Sequence, residues 1–199
     1  KFGAFRFKLH EKNPDAPLSP SYITLRVLDN GGPLNVEDIN WIGSELWLAT
    51  AGIEYDLVAG IPRAGEPLAE VVSELSGKPL LKLGKRTEDD RRRIDSVLSS
   101  NWLSPWRPGQ KVLLVDDLIV WATTKEEAIT VCESAGLVIA ALVVLIDQEQ
   151  GGVEQLLKMG YRVCAAFSLS ILLDYYVKTG KMSQVKRDEI LAYAAANRR

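Results

Sequence analysis

The sequence predicts an α/β protein with a mainly parallel sheet flanked by helices, behind a small N-terminal antiparallel hairpin. Three stretches carry that reading: Tyr55 to Ile61 (YDLVAGI), Val112 to Val115 and Leu137 to Ile146 are apolar at nearly every position. Strands of that kind belong in a parallel sheet buried on both faces. Each is followed by turn residues and then a helical period, so strand, loop and helix alternate along the chain. Ahead of them, Lys1 to Arg26 alternates aromatic and polar residues (Phe5, Phe7, Leu9), breaks at a proline-rich loop and resumes at Tyr22, Ile23 and Leu25, which predicts the hairpin.

The 199 residues are 47% hydrophobic and 25% charged, which fits one globular domain, with residues 1–34 as its hairpin part and 35–199 as the α/β core. A net charge of -2 and a pI near 5.6 offer no field for nucleic acid. The longest apolar run, Leu137 to Ile146, is too short to span a bilayer, so neither nucleic acid nor membrane is expected as a partner. Cys132 and Cys164 sit inside apolar patterns rather than in a C-x-x-C, which predicts buried free thiols in a reducing, cytoplasmic setting. No signal peptide is visible, and a start at Lys1 implies that a few N-terminal residues are missing.

From Val36 a helical stripe runs through Ile39, Ile42, Leu46 and Ala49, with Asn35 as its cap and with Trp41 and Trp47 as core or interface aromatics. After Ile61, PRAGEPLAEVVSEL is predicted to be a turn and then a helix. A short strand follows at Leu80 to Leu83. Beyond it, Thr87 with Asp90 reads as a capping box, and Glu88–Arg92 and Asp89–Arg93 are spaced i, i+4, which predicts a solvated charged helix. Trp102 and Trp106 beside Pro105 and Pro108 predict a packed loop. The remainder reads as helix over 125–136, strand over 137–146, helix near 153–159, strand over 161–167 and helices over 168–179 and 183–196.

The chemistry gathers in KVLLVDDLIVWATTKEEA, Lys111 to Ala128. The strand runs straight into Asp116 and Asp117, and Thr123 or Thr124 with Glu126 and Glu127 reads as a helix start. The loop between them lies at the carboxyl end of a strand, where open α/β sheets bind ligands and a helix start offers N–H groups to a phosphate. Two acids beside such a start suit a sugar phosphate, with carboxylates accepting from ribose hydroxyls. The alternative is that the two aspartates merely end a strand.

This block resembles the PRPP-binding signature of type I phosphoribosyltransferases: four apolar residues, D-D, two apolar residues, then T-T-G-x-T or T-T-G-x-S. Asp116, Asp117, Leu118, Ile119 and Thr124 match, while Val120 and Trp121 replace the threonine pair and Ala122 the glycine. AGIPRAGEPLA is similar to that family's pyrophosphate loop. Phe2, Gly3, Phe5 and Lys8, then Ser19, Pro20, Tyr22, Leu25 and Arg26, resemble the N-terminal hood of orotate phosphoribosyltransferases, and the final helices resemble their tail. Their lid, R-K-x-x-K-x-H-G, is matched only by Lys85 and Arg86, as an alternative to the charged helix. Their D-R-x-x-G is met by Asp147 and Gly151, with Gln148 in place of arginine.

The resemblance implies the type I phosphoribosyltransferase fold and transfer of a phosphoribosyl group from PRPP to a nitrogen base in pyrimidine nucleotide synthesis or salvage, with release of pyrophosphate. It implies a transition state of oxocarbenium character, with Asp116 and Asp117 holding the ribose and its developing charge and Arg63 on the leaving group. Ala64, Gly65, Lys85, Arg86, Ala122, Thr123 and Thr124 would bind PRPP phosphates; Lys8, Tyr22, Ile23 and Gln148 would line the base. Mg²⁺ would arrive on PRPP rather than in a protein cage, and the protein would be a homodimer. The altered loop, lid and base position suit an alternative: a non-catalytic sensor of PRPP or a nucleotide.

Overall fold

A computed structural model describes residues 2–5, 14–15, 17–25, 31–88, 91–99 and 106–199. The chain forms strands β1 (Phe2–Phe5), β2 (Ser19–Ser21), β3 (Leu57–Gly60), β4 (Leu80–Glu88), β5 (Arg91–Ser99), β6 (Lys111–Ile119), β7 (Val138–Asp147) and β8 (Val163–Ser168). Its helices are α1 (Val36–Ala49), α2 (Gly65–Ser76), α3 (Thr123–Ser134), α4 (Gly152–Lys158), α5 (Leu169–Lys178) and α6 (Gln184–Ala196). β1 and β2 pair antiparallel as expected, but the second strand is Ser19–Ser21 and stops before Tyr22, Ile23 and Leu25, which follow it outside the sheet. The other six strands form one sheet in the order β5-β4-β3-β6-β7-β8, parallel throughout except for the β4–β5 pair.

The apolar runs become central strands because both of their faces are covered. Every residue of β3 is buried, as are Val112 to Asp116 of β6. One face, with Leu57, Ala59, Val112 and Leu114, meets α3 through Ala128, Ile129 and Cys132, and α4 through Leu156. The other, with Val58, Leu113 and Val115, meets α1 through Ile39, Ile42 and Leu46, and α2 through Leu68, Ala69 and Val72. A third apolar cluster joins Leu169 and Leu173 of α5 to Ile190 and Ala194 of α6. Asn35 caps α1 in a full capping box with Asp38, and Ser168 and Ser183 cap α5 and α6.

One expected element is different. Residues 86–88 and 91–99 are not a charged helix: β4 runs on to Glu88 and pairs antiparallel with β5, with Lys85 opposite Ile94 and Arg86 opposite Arg93. Pairs at i, i+4 stabilise a helix by only about 0.2–0.5 kcal/mol each, whereas this hairpin places Leu81, Leu83 and Ile94 in the core. Its base is also tied to α3, where the Glu127 carboxylate accepts from the Ile94 N–H at 3.3 Å.

Trp41 lies on the surface rather than in the core, at 59% exposure. Both cysteines are free thiols; Cys132 is buried, and burial together with Glu133 pushes its thiol up to about 12. Trp106 packs on the first core cluster, in line with the predicted packed loop, whose earlier part lies outside the described residues.

Candidate active site at the sheet switch point

From β3 the chain steps outward to β4 and β5, then returns to the other side of β3 as β6. The strand order therefore reverses between β3 and β6, and α2 and α3 leave them on opposite faces. Such a switch point opens a crevice at the strands' carboxyl ends. The two segments singled out by sequence, 61–65 and 116–124, meet there. The Ile61 N–H donates to the Val115 carbonyl at 2.8 Å. A side chain on Gly65 would collide with that same carbonyl and come within 3.2 Å of Asp116 Oδ1, so only glycine allows this approach.

The two aspartates are not equivalent. Asp116 is buried and its side chain is already bonded: Oδ2 lies 2.7 Å from Lys125 Nζ and Oδ1 accepts the Asp117 N–H at 2.9 Å. Lys125 is equally buried and also donates to the Leu118 carbonyl at 2.7 Å. Asp117 is partly exposed on the other face of the strand, its Oδ1 accepting from the Leu118 N–H at 2.8 Å. Burial, then repulsion from Asp116, pushes the Asp117 carboxyl up to about 7, against the pull of Lys125.

The start of α3 differs from expectation. Neither Thr123 nor Thr124 is the cap; that position is Ala122, with no side-chain cap bond, and both threonines stand exposed in the first turn. Ala122 is fully buried and its N–H donates to Gln155 Oε1 at 3.1 Å, while the Val120 carbonyl accepts from the Gly152 N–H at 3.1 Å. The segment 120–122 is thus stitched to α4, leaving the first-turn threonines as its open face.

On the other loop Arg63 is exposed, Ala64 precedes α2 and Gly65 is its buried first residue. Lys85 joins this loop, donating to the Pro62 carbonyl at 3.0 Å. Arg86, next along β4, leans instead toward Asp95 at 3.9 Å. Tyr22 stacks near Phe5 at 5.7 Å between centroids, and Ile23 packs against the second and third apolar clusters, anchoring the hairpin to the α/β core. Lys8 lies outside the described residues. Gln148 follows β7, its N–H donating to the Ile119 carbonyl at 2.9 Å. The loop is braced by Glu149, at φ 56°, whose carboxylate accepts from the Ser170 N–H at 2.7 Å. Burial raises the Asp147 carboxyl there.

Three participants were missed by sequence reasoning. Lys125 falls on the buried stripe of α3 with Ala128, Ile129 and Cys132, and a lysine on such a stripe signals a buried acid partner. Gln155 and Arg199 leave no comparable local signal. Arg199 lies over the Trp121 ring at 3.7 Å from its centroid, the Trp121 indole N–H donates to the Asn197 carbonyl at 3.3 Å, and the Arg199 N–H donates to the Gln150 carbonyl at 3.1 Å. Far from these loops, at the amino ends of β3 and β6, an open groove of about 520 Å³ is lined by Trp47, Tyr55, Leu75 and Lys111.

Fold and site together define an α/β protein built to take a ligand between two loops at its switch point. The chain belongs to the phosphoribosyltransferase family: residues 36–160 match the phosphoribosyl transferase domain. It is 26% identical over 180 residues to an orotate phosphoribosyltransferase of Sulfurisphaera tokodaii, across 90% of this chain and 87% of that protein. Among solved structures it is similar to Leishmania donovani UMP synthase, at 26% identity and TM-score 0.79, covering 98% of this chain and 39% of the other. It shares its fold with the orotate phosphoribosyltransferase of Aeropyrum pernix, at 21% identity and TM-score 0.68, over 92% and 93% of the two chains.

Proposed function

We propose that this chain is an orotate phosphoribosyltransferase-like enzyme, which transfers a phosphoribosyl group from PRPP to a ring nitrogen of a pyrimidine-type base and releases pyrophosphate. The observation that carries the reading is the meeting of the Arg63 loop, Lys85 and the Asp116–Asp117 pair at the switch point of a family member. Its relatives are named as enzymes, which favours catalysis over the sensor alternative.

The contacts support a division of roles. Asp117 accepts from the ribose hydroxyls and faces the positive charge that develops on the sugar; Asp116, held by Lys125, positions it. Arg63 meets the pyrophosphate, with Ala64 and Gly65 letting backbone approach and Lys85 adding a second cation. The 5′-phosphate falls to Thr123, Thr124 and the first-turn N–H groups of α3, since the Ala122 N–H is bonded to Gln155. Tyr22, Ile23 and Gln148 are assigned to the base.

Among the described residues no three acidic, histidine or cysteine side chains gather into a metal cage. Mg²⁺ carried by substrate phosphates asks for no more than one or two carboxylates, and Asp117 fits that demand. Bound there, Mg²⁺ would supply charge neutralisation at the leaving pyrophosphate. We assign a single domain acting as a homodimer, with exposed Trp41 and Leu48 of α1 as interface residues, and a cytoplasmic setting. Among the described residues no helix is long and apolar enough to cross a membrane.

The test is pyrophosphate release from PRPP with Mg²⁺ and a panel of pyrimidine bases, for wild type, Arg63→Ala and Asp117→Asn. Release that both substitutions abolish is expected. PRPP binding without release from any base would leave a sensor, and no PRPP binding at all would overturn the reading.

A further inference from the structure

The Asn197–Arg199 segment is fastened to the 116–124 loop and to residues 150–154 more firmly than a surface segment requires. The Asn197 carbonyl takes the Trp121 indole N–H, the Arg199 N–H bonds to Gln150, and Arg198 pairs with Glu154 of α4. Gly151, in the left-handed region at φ 99°, has no room for a side chain because the Arg199 backbone fills that space. These ties hold the Arg199 guanidinium over Trp121, its Cζ 3.7 Å from the ring centroid. Stacking uses the face of a guanidinium and leaves its in-plane N–H donors for an acceptor at the edge. Among the described residues no carboxylate forms an ion pair with Arg199, although its neighbour Arg198 has one.

The placement is electrostatically odd. Trp121 lies two residues before the 12-residue helix α3, so Arg199 rests on the segment that leads into that helix's positive end. Like charges at a helix start repel, and an anion between them turns both into attractions. We propose that Arg199 is a ligand-binding residue that receives the 5′-phosphate of the phosphoribosyl group, facing it across from Thr123 and Thr124. This rests on the phosphoribosyltransferase reading. A planar guanidinium grips phosphate oxygens in two parallel hydrogen bonds, so it replaces donors that Val120 and Trp121 no longer offer. Trp121 is then a shelf that orients the arginine.

The experiment is calorimetric titration of wild type, Arg199→Ala and Arg199→Lys with ribose 5-phosphate, with Mg²⁺ pyrophosphate and with orotate, at low and physiological salt. Melting temperatures establish that the variants are folded. Arg199→Ala should bind ribose 5-phosphate about ten- to a hundredfold more weakly, the range for one charge-assisted contact, with pyrophosphate unchanged. Arg199→Lys should fall between and lose more affinity on adding salt. Ribose 5-phosphate affinity within about twofold of wild type in Arg199→Ala overturns the inference. Equal weakening of both phosphates also overturns it, since that marks a merely structural strap. Selective loss of orotate would move Arg199 to a base carboxylate and refute the phosphate assignment. Should wild type bind neither phosphate ligand, the phosphoribosyltransferase reading falls and this inference with it.

Discussion

Lys125→Met isolates the interaction on which the acid pair depends. The ammonium lies 2.7 Å from both Asp116 Oδ2 and the Leu118 carbonyl, and the two side chains are only 7% and 8% exposed. Methionine keeps most of the apolar stem but leaves a buried carboxylate and a carbonyl without their donor. Breaking one side of a buried pair typically costs about 3–5 kcal/mol. At about 2–4 °C per kcal/mol for a chain of this size, the melting temperature should drop by roughly 6–20 °C. Adding Asp116→Asn removes the stranded charge, so the double variant should be more stable than Lys125→Met alone, with a coupling of about 2 kcal/mol or more. Thermal and urea melts of the four proteins form the cycle. A single variant melting within about 2 °C of wild type, or strictly additive losses, would refute the pairing. PRPP affinity gives a second reading: the double variant should retain binding that Asp117→Asn loses.

Other outcomes follow from the same geometry. Between the ordinary carboxylate value of 3.8 and about 7, folded Asp117 holds a proton that the unfolded chain has released, so stability should fall as pH rises through that window. The slope is at most about 1.4 kcal/mol per pH unit; Asp117→Asn should flatten it, and an unchanged slope in urea melts would refute the assignment. Wild-type PRPP affinity should in turn be higher at pH 8 than at pH 6, by titration. Gln148 offers a neutral amide where an arginine would make a charge-assisted pair, so orotate should turn over below about 1 per second in wild type. Gln148→Arg should tighten orotate roughly 30-fold or more, and ordinary wild-type turnover would contradict this. Gly65→Ala should cost about 1–3 kcal/mol by overpacking, since its Cβ meets the Val115 backbone rather than a movable side chain; a melt unchanged from wild type would show that the loops are not in contact.

Much of this architecture was legible because burial on both faces writes itself into the chain. β3, β6 and β7 stand out as apolar runs, and Asn35 caps α1 through a bond only three residues long. The acids showed as a pair at the end of an apolar strand, and the Arg63 loop through its resemblance to a family's pyrophosphate loop. What escaped depends on partners distant in sequence. β5 carries helix-like charge spacing and becomes a strand only because β4 offers it an edge. Its local pattern and its final state are set by different forces, and the non-local one wins. The bonds from Gln155 to Ala122 and from Arg199 to Trp121 span loops brought together only by folding.

The β4–β5 hairpin has one more consequence, for how far it can swing. Its pairing shifts register between Gly84 and Lys85, and any side chain at Gly84 would strike Ser96 Oγ, so the ribbon bends beside the residue that grips Pro62. Below that joint, Leu81, Leu83 and the Ile94 side chain are sunk in the core, and the Ile94 N–H is clasped by Glu127. The ribbon is thus clamped at its root, with the Arg86–Arg93, Thr87–Arg92 and Glu88–Arg91 pairs lying beyond the clamp. Any deflection of those pairs would load Lys85 and Glu127 together, and so be felt on both sides of the crevice at once.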